Sequence, residues 1–157
     1  MSAEATWGDL AAAEPLIAAR GAKLFAEGVA YVGTMARDGS PRVAPFTPLI
    51  CDDRLVAFLG KHTVKYQCLL RDPRFSIHAV LGPSDEEFML LGRAVVSDDW
   101  ATRIRAAIEA RKINMTSKND AAFEFRIRFA HWAIWRGLGT PNIHRESKSW
   151  RLCEAVA

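Results

Sequence analysis

Short segments with the composition of β-strands follow one another along most of the chain, and this succession constrains the fold more than any other feature. Few helical stretches lie between them, whereas parallel strands need a crossover of about a dozen residues or more, usually a helix. The order favours an antiparallel split barrel of six to seven strands with flanking helices, a mainly β fold with α structure (α+β). The chain has 157 residues without internal repeats or linkers, which predicts a single domain over residues 1–157.

Turn residues set the expected strand boundaries. Val29–Ala36 is β-branched and aromatic, and Asp38-Gly39 after it predicts a hairpin to a second strand over Arg42–Ile50. Three prolines in or directly before this second strand, Pro41, Pro45 and Pro48, place it at a sheet edge or make it bend, because proline cannot donate to a ladder. Further strands are predicted over Arg54–Gly60, Arg74–Leu81, Phe88–Ser97, Phe123–Phe129 and, briefly, Trp150–Cys153.

Three helices are expected between these strands. Glu14-Pro15 begins the first, since proline is tolerated in a first helical turn. His62–Leu70 is a short helix with Thr63 as a possible N-cap. Asp98–Lys112 is the longest, and its apolar residues share one side: Trp100, Ile104, Ala107 and Ile108. The segment from residue 137 to 149 is expected to be irregular.

Composition narrows the function. The formal net charge of +3 is too small to indicate nucleic acid, and no segment has the length of a membrane span. The N-terminus lacks the pattern of a secretory signal, so we expect a cytoplasmic protein. Cys51, Cys68 and Cys153 are far apart, which favours buried reduced thiols and supports no metal site.

The most informative local motif is Lys61-His62-Thr63-Val64-Lys65, at the start of the predicted short helix. The helix dipole disfavours cations in a first turn, so a cationic start makes sense if a phosphate lies there. Backbone N–H groups, the Thr63 hydroxyl and the Lys65 ammonium would bind that phosphate. From the residues alone, solvated surface cations explain the motif equally well.

Several segments together resemble the pyridoxamine 5′-phosphate oxidase-like FMN-binding split-barrel family. They are Arg42-Val43-Ala44, Arg54 to Leu59, Thr63-x-Lys65 and Asp72-Pro73-Arg74, within a resemblance that runs from about Glu14 to Gly92. The resemblance implies an FMN cofactor and a homodimer with the flavin at the subunit interface. Related barrels also use deazaflavin.

The resemblance also implies roles for individual residues. Arg42 would reach the flavin phosphate or ribityl chain, and Thr63, Val64 and Lys65 would bind the phosphate. Glu87 would either face the pyrimidine edge of the ring or be exposed, and the partner subunit would contribute Trp135 and Arg145. The remaining implied contacts, along the ribityl chain and ring, are Val43, Ala44, Pro45, Phe58 and Leu59.

The chain also departs from the oxidase itself. Thr47 stands where the oxidase has a lysine for its substrate phosphate, and only His144-Arg145 remains of a C-terminal Arg-x-His-x-Arg element. We therefore expect no pyridoxamine-phosphate oxidation, but a flavin-dependent oxidoreductase whose small organic substrate enters near Phe46 and Thr47. The alternatives are a non-catalytic flavin, deazaflavin or haem protein of the same fold, or a barrel that binds single-stranded nucleic acid. His78 and His131 are interpreted as core or interface residues rather than ligands.

Overall fold

The computed structural model describes residues 4–115 and 119–153, so the first three residues of the N-terminal segment lie outside it. Its described ranges contain four α-helices: α1 (Trp7–Ala13), α2 (Pro15–Phe25), α3 (Val64–Arg71) and α4 (Trp100–Lys112). The first four strands are β1 (Ala30–Met35), β2 (Pro41–Phe46), β3 (Leu49–Cys51) and β4 (Arg54–Gly60). The other four are β5 (Arg74–Ala79), β6 (Glu87–Val96), β7 (Asp120–Arg136) and β8 (His144–Arg151).

All eight strands belong to one antiparallel sheet, in the order β2-β1-β5-β6-β7-β4-β3, with β8 paired to the second half of β7. The predicted antiparallel α+β architecture is confirmed. The sheet has one strand more than the seven predicted segments, because β3 separates from β2. Within the described residues the sheet is not closed, since β2 and β3 form its two ends.

The proline-rich second strand behaves as its sequence indicates. It breaks at Thr47-Pro48, so that β2 and β3 become separate edge strands at opposite ends of the sheet. The predicted hairpin between β1 and β2 is also present, and the N–H of Ala36 donates to the carbonyl of Ser40 at 2.8 Å. Gly39 adopts a positive φ of 84° in this turn, a conformation that favours glycine.

The structure adds one helix that was not predicted and overturns the prediction of one irregular segment. The N-terminal segment forms α1, which begins with a reciprocal capping box between Thr6 and Asp9. The segment expected to be irregular contains most of β8, an eight-residue strand paired with β7. Almost every β8 residue is exposed, so the strand lacks the apolar alternation by which half-buried strands are recognised.

The orientation of α4 is the reverse of the one its apolar side suggests. Trp100, Ile104 and Ile108 are exposed, at 71%, 47% and 51%, whereas Ala106 and Ala110 are buried. The two alanines pack in a small cluster with Leu49 and Cys51 of β3, among others. Small side chains allow the helix to approach the sheet closely, and the large apolar ones remain outside.

The main core lies on the inner face of the curved sheet and is covered by α1 and α2. Its fully buried members include Val32, Ile77, Leu90 and Phe125, from four strands. Burying each such side chain contributes about 1.5–3 kcal/mol relative to leaving it exposed. The outer face of the central strands therefore remains available for a functional site.

Candidate functional site

The first turn of α3 is the predicted phosphate site. Thr63 is the N-cap as expected: its hydroxyl accepts from the N–H of Tyr66 at 3.4 Å. The same hydroxyl donates to the carbonyl of Gly60 at 2.7 Å. Because this bond uses its only proton, the Thr63 hydroxyl must break it before it can donate to a phosphate. The N–H groups of Val64 and Lys65, in the first turn, have no intrahelical acceptor and are better placed to do so.

Lys65 joins this turn to the end of β2. Its ammonium Nζ donates to the carbonyl oxygen of Pro45 at 2.6 Å, across twenty residues of sequence. Burial lowers the pKa of Lys65, because desolvation disfavours the charged form. An ammonium has three donors, so one bond to a carbonyl leaves capacity for an anion. Lys61 and His62, from the same motif, are exposed.

Arg42 and the Pro45 carbonyl that binds Lys65 are separated along β2 by more than the width of one phosphate group. Arg42 is three residues from Pro45, or about 10 Å along an extended strand. Its guanidinium makes no hydrogen bond or ion pair with any residue that the structure describes. The structure therefore places Arg42 on the same edge strand as the Lys65 contact without joining the two side chains.

Phe58 and Leu59 have buried side chains on opposite faces of β4. Phe58 packs in the small cluster under α4 and Leu59 in the main core, with exposures of 8% and 1%. These positions leave their backbone as the part that a ligand could contact. On β2, Val43 and Pro45 are exposed and Ala44 is half-buried. The roles of all these residues at a flavin stay predictions.

A second polar cluster lies on the outer face, where four strands bring together residues that are distant in sequence. Glu87 of β6 forms an ion pair with Arg145 of β8 in the same chain. The Glu87 carboxylate also lies 3.6 Å from Nε2 of His131 and 3.9 Å from Nε2 of His78. Ser149 completes the cluster, with its Oγ 2.7 Å from Nδ1 of His131. We call these five residues the outer cluster.

The register of the sheet explains the outer cluster. His78 pairs with Met89, Met89 with His131, and His131 with Ser149, so side chains from four adjacent strands form one row. Neither histidine belongs to the core: their side chains are 43% and 20% exposed. Sequence reasoning identified Glu87 and Arg145 through the resemblance but did not place the two histidines beside them, since no local pattern specifies strand register.

Trp135 stands beside this cluster, paired in register with Arg145 and 37% exposed. On the proposed substrate path, Phe46 is buried in the main core. Thr47 instead lines a cavity of about 410 Å³ between α2, β3 and the end of α4. Of the two residues expected at a substrate entrance, the structure leaves only Thr47 available.

The described ranges show neither a metal centre nor a membrane helix. They contain no cluster of three or more His, Cys, Asp or Glu residues suited to a metal ion. No helix among them is both long and apolar enough to cross a membrane. Cys51 and Cys68 are buried and free, and burial raises the pKa of Cys51 to about 11. The expectation that all three thiols are buried was wrong for Cys153, which is exposed.

The fold is that of the pyridoxamine 5′-phosphate oxidase-like split barrels, as the sequence resemblance predicted. A NimC/NimA family protein from Clostridium acetobutylicum superposes with a TM-score of 0.61 and 19% identity, covering 84% of this chain and 91% of its own. A protein related to general stress protein 26, from the pyridoxinephosphate oxidase family of the same organism, gives 0.63 and 15%, covering 85% and 93%.

A haem-binding protein from Mycobacterium smegmatis is also similar, with a TM-score of 0.60 and 19% identity over 83% of this chain and 57% of its own. At these identities the likeness shows the fold alone. No protein-family model and no curated protein matches the chain.

Proposed function

We propose that this chain is an FMN-binding flavoprotein, a flavin-dependent oxidoreductase that acts on a small organic molecule. The observation that carries the proposal is the bond between Lys65 Nζ and the Pro45 carbonyl. It joins the cationic first turn of α3 to β2, the two segments from which the sequence resemblance draws the flavin phosphate site. The fold of the structural neighbours supports the same reading.

The residues at this end fit a phosphate. The first turn of α3 supplies N–H groups and the positive end of the helix dipole, and Lys65 adds a charge next to them. No acidic side chain lies in the first turn of α3 to compete for these donors. A partly desolvated ammonium gains more from an anion than a fully solvated one, because the local dielectric constant is lower.

The outer cluster fits the other end of a flavin. In the sheet order, β6 is the third strand from β2, so the two lie about 14 Å apart in the direction perpendicular to the strands. A molecule with a phosphate at one end could therefore present a ring at the other. Glu87 can accept from a ring N–H and Arg145 can donate to the carbonyls beside it. FMN, when bound, would supply the redox chemistry, and the protein would supply orientation and electrostatics.

The direct test compares FMN with riboflavin, which lacks the phosphate. Lys65→Gln is expected to weaken FMN binding about tenfold to a hundredfold, since a charge-assisted hydrogen bond is lost. Riboflavin binding should stay within about twofold. The matched control is Lys61→Gln, an exposed lysine of the same motif, for which FMN affinity should hardly change. Flavin fluorescence during titration of the apoprotein measures all six affinities. Equal losses for both flavins would remove Lys65 from the phosphate site.

We further propose a homodimer with the flavin at the subunit interface, as the resemblance implies. The exposed β7–β8 hairpin supports it, because the hairpin carries Trp135 and the outer edge of β8 pairs with no other described strand and needs covering. Light scattering at micromolar concentration should give twice the chain mass.

The protein should not oxidise pyridoxamine phosphate, because Thr47 stands where the oxidase has a lysine for the substrate phosphate. Oxygen consumption above the buffer rate would contradict this expectation.

A haem carrier is the second candidate. It is favoured by the outer cluster, which presents two imidazoles on one face of the sheet, and histidine is a common axial ligand of haem iron. Titration with hemin should then give a sharp absorbance band that His131→Ala abolishes and His144→Ala, at the exposed start of β8, leaves intact. Flavin binding without that band would favour the first proposal.

A further inference from the structure

The outward side of α4 carries large apolar side chains. Trp100, Ile104 and Ile108 follow one another at intervals of four residues, so they form one row along the helix, about 12 Å long. All three are exposed, and Trp100, at 71%, is the most exposed of the large apolar residues that the structure describes. An exposed apolar patch rimmed by polar residues marks an interaction surface. We call these three residues the α4 row.

The two ends of the α4 row differ in charge. Asp98 and Asp99 directly precede Trp100 and are exposed, and the Asp99 side chain caps the helix. At the other end Arg111 is exposed, three residues after Ile108 and therefore on the same side of the helix. Neither Asp98 nor Arg111 forms a hydrogen bond or an ion pair with another residue that the structure describes. The row thus has an acidic and a basic end, each with a charge available to a partner.

A second copy of the chain complements this arrangement when the two helices are antiparallel. A two-fold axis through Ile104 places this residue against its own copy and Trp100 against the second copy's Ile108. The same axis brings the acidic end of one row to the basic end of the other. Side chains on a helix lean toward its N-terminus, so the Arg111 guanidinium of each copy extends back toward Asp98 of the other. Opposite charges at the rim of an apolar contact fix its register.

Other occupants match the row less well. Residues 98–112 include four basic and three acidic side chains, so the segment has little net attraction for an anionic membrane surface. Two of the basic side chains already pair with carboxylates, Lys112 with Glu109 and Arg105 with Asp52. A membrane would also meet the two aspartates beside the tryptophan, and a parallel pair of helices would bring like charges together.

We propose that α4 packs against α4 of a second copy as an antiparallel pair, with the Ile104 side chains at the two-fold axis. Trp100 contacts Ile108 across the pair, and Asp98 pairs with Arg111 at both ends. Such a contact is isologous and closes after two copies. It goes beyond the proposed flavin function, because neither FMN nor the β7–β8 hairpin takes part in it.

Disulfide cross-linking tests the position of the axis. The background is Cys153→Ser, which removes the exposed cysteine of the structure. Ile104→Cys should form a cross-linked dimer under mild oxidation, because residues at the axis lie within the span of about 4.4–6.8 Å between Cα atoms that a disulfide requires. The control Ile108→Cys, whose two copies are displaced by about 12 Å along the helices, should cross-link at least fivefold more slowly. Non-reducing gels measure both rates, and equal rates would overturn the proposal.

Charge reversal tests the antiparallel orientation. Asp98→Arg and Arg111→Asp should each slow the cross-linking of Ile104→Cys about threefold to tenfold, since each replaces two attractive contacts by repulsive ones. The combined variant should restore the rate. Arg37→Asp, at an exposed arginine of the β1–β2 turn, should leave the rate unchanged. Faster cross-linking in Asp98→Arg, or no recovery in the combined variant, would reject the antiparallel pair. Binding of the wild type to anionic vesicles in place of cross-linking would assign the row to a membrane surface and overturn the proposal as well.

One further variant separates this proposal from the flavin proposal. Lys65→Gln should weaken FMN binding and leave the cross-linking of Ile104→Cys unchanged. The cross-link should form equally with and without FMN, so a failure of FMN to bind would leave the α4 contact standing. A protein that binds FMN as a dimer without cross-linking at Ile104 would reject the α4 contact alone.

Discussion

Glu86 and Glu87 are neighbours in sequence, but they lie on opposite faces of the sheet. Glu86 is 2% exposed and accepts from the Trp132 indole Nε1 at 2.8 Å, with Arg20 Nη1 at 3.4 Å. The Arg20 guanidinium also lies over the Trp132 ring, at 5.5 Å from its centroid. Glu87 is partly exposed and contacts Arg145 and two histidines on the outer face.

The difference separates a stabilising carboxylate from one available for binding. Removing a buried carboxylate leaves its desolvated hydrogen-bond donors without an acceptor, which is costly. An exposed ion pair exchanges its partners for water with little change in free energy. Glu86 should therefore contribute to stability, and the contacts of Glu87 can be exchanged for those of a ligand. Variants of Glu86, of its partner Trp132 and of Glu87 test this distinction.

Glu86→Ala should have the largest effect. It leaves the Trp132 indole N–H buried without an acceptor and removes the counter-charge of Arg20, so we expect the free energy of unfolding to fall by about 3 kcal/mol. Urea unfolding followed by tryptophan fluorescence measures the loss. Glu86→Gln retains an acceptor and should lose less. A loss below about 1 kcal/mol in Glu86→Ala would show that the inner contacts are weak.

Trp132→Phe should have the second largest effect. The ring volume is largely kept, but the indole donor to Glu86 is lost, and a hydrogen bond to a charged group contributes about 1.5–3 kcal/mol. We expect a loss of about 2 kcal/mol in the same unfolding assay. Combined with Glu86→Ala, the change should be less than additive, because both variants remove the same bond. Strict additivity would mean that the indole acts through packing alone.

Glu87→Gln should change stability by less than about 0.5 kcal/mol, because its partners are exposed enough to be solvated when the charge is lost. The same variant should change the affinity for FMN if the outer cluster binds the ring. Urea unfolding and flavin titration are to be made on one preparation. A large loss of stability would place Glu87 with Glu86 and end the distinction between the two faces.

Asp72 provides the smallest effect and a test by pH. Its hydrogen bonds with the Arg74 side chain and backbone lower the pKa of Asp72 to about 2. Since an unfolded aspartate titrates near 3.9, the stabilisation is present above about pH 4 and lost as the pH falls toward 2. Melting temperatures of Asp72→Asn should lie slightly below the wild type at pH 6 and converge with it near pH 2. A difference that persists at pH 2 would assign the effect to packing.

Local interactions account for the parts of the fold that were predicted well. The Asp38-Gly39 turn, the Thr63 cap and the proline break after β2 each depend on a few neighbouring residues. The segments that were predicted wrongly depend on distant contacts. α4 turns its alanines to the sheet because β3 lies close to it, and β8 forms because β7 extends far enough to pair with it.

The sequence by itself determined the antiparallel α+β class, the cationic start of α3 and the edge position of the proline-rich strand. The tertiary structure decided which groups meet: Lys65 with the Pro45 carbonyl, and Glu87 with Arg145 and two histidines. The physical reason is strand register. A shift of one residue moves every side chain of a strand to the other face, and the register is set by the packing of the whole sheet rather than by a local pattern.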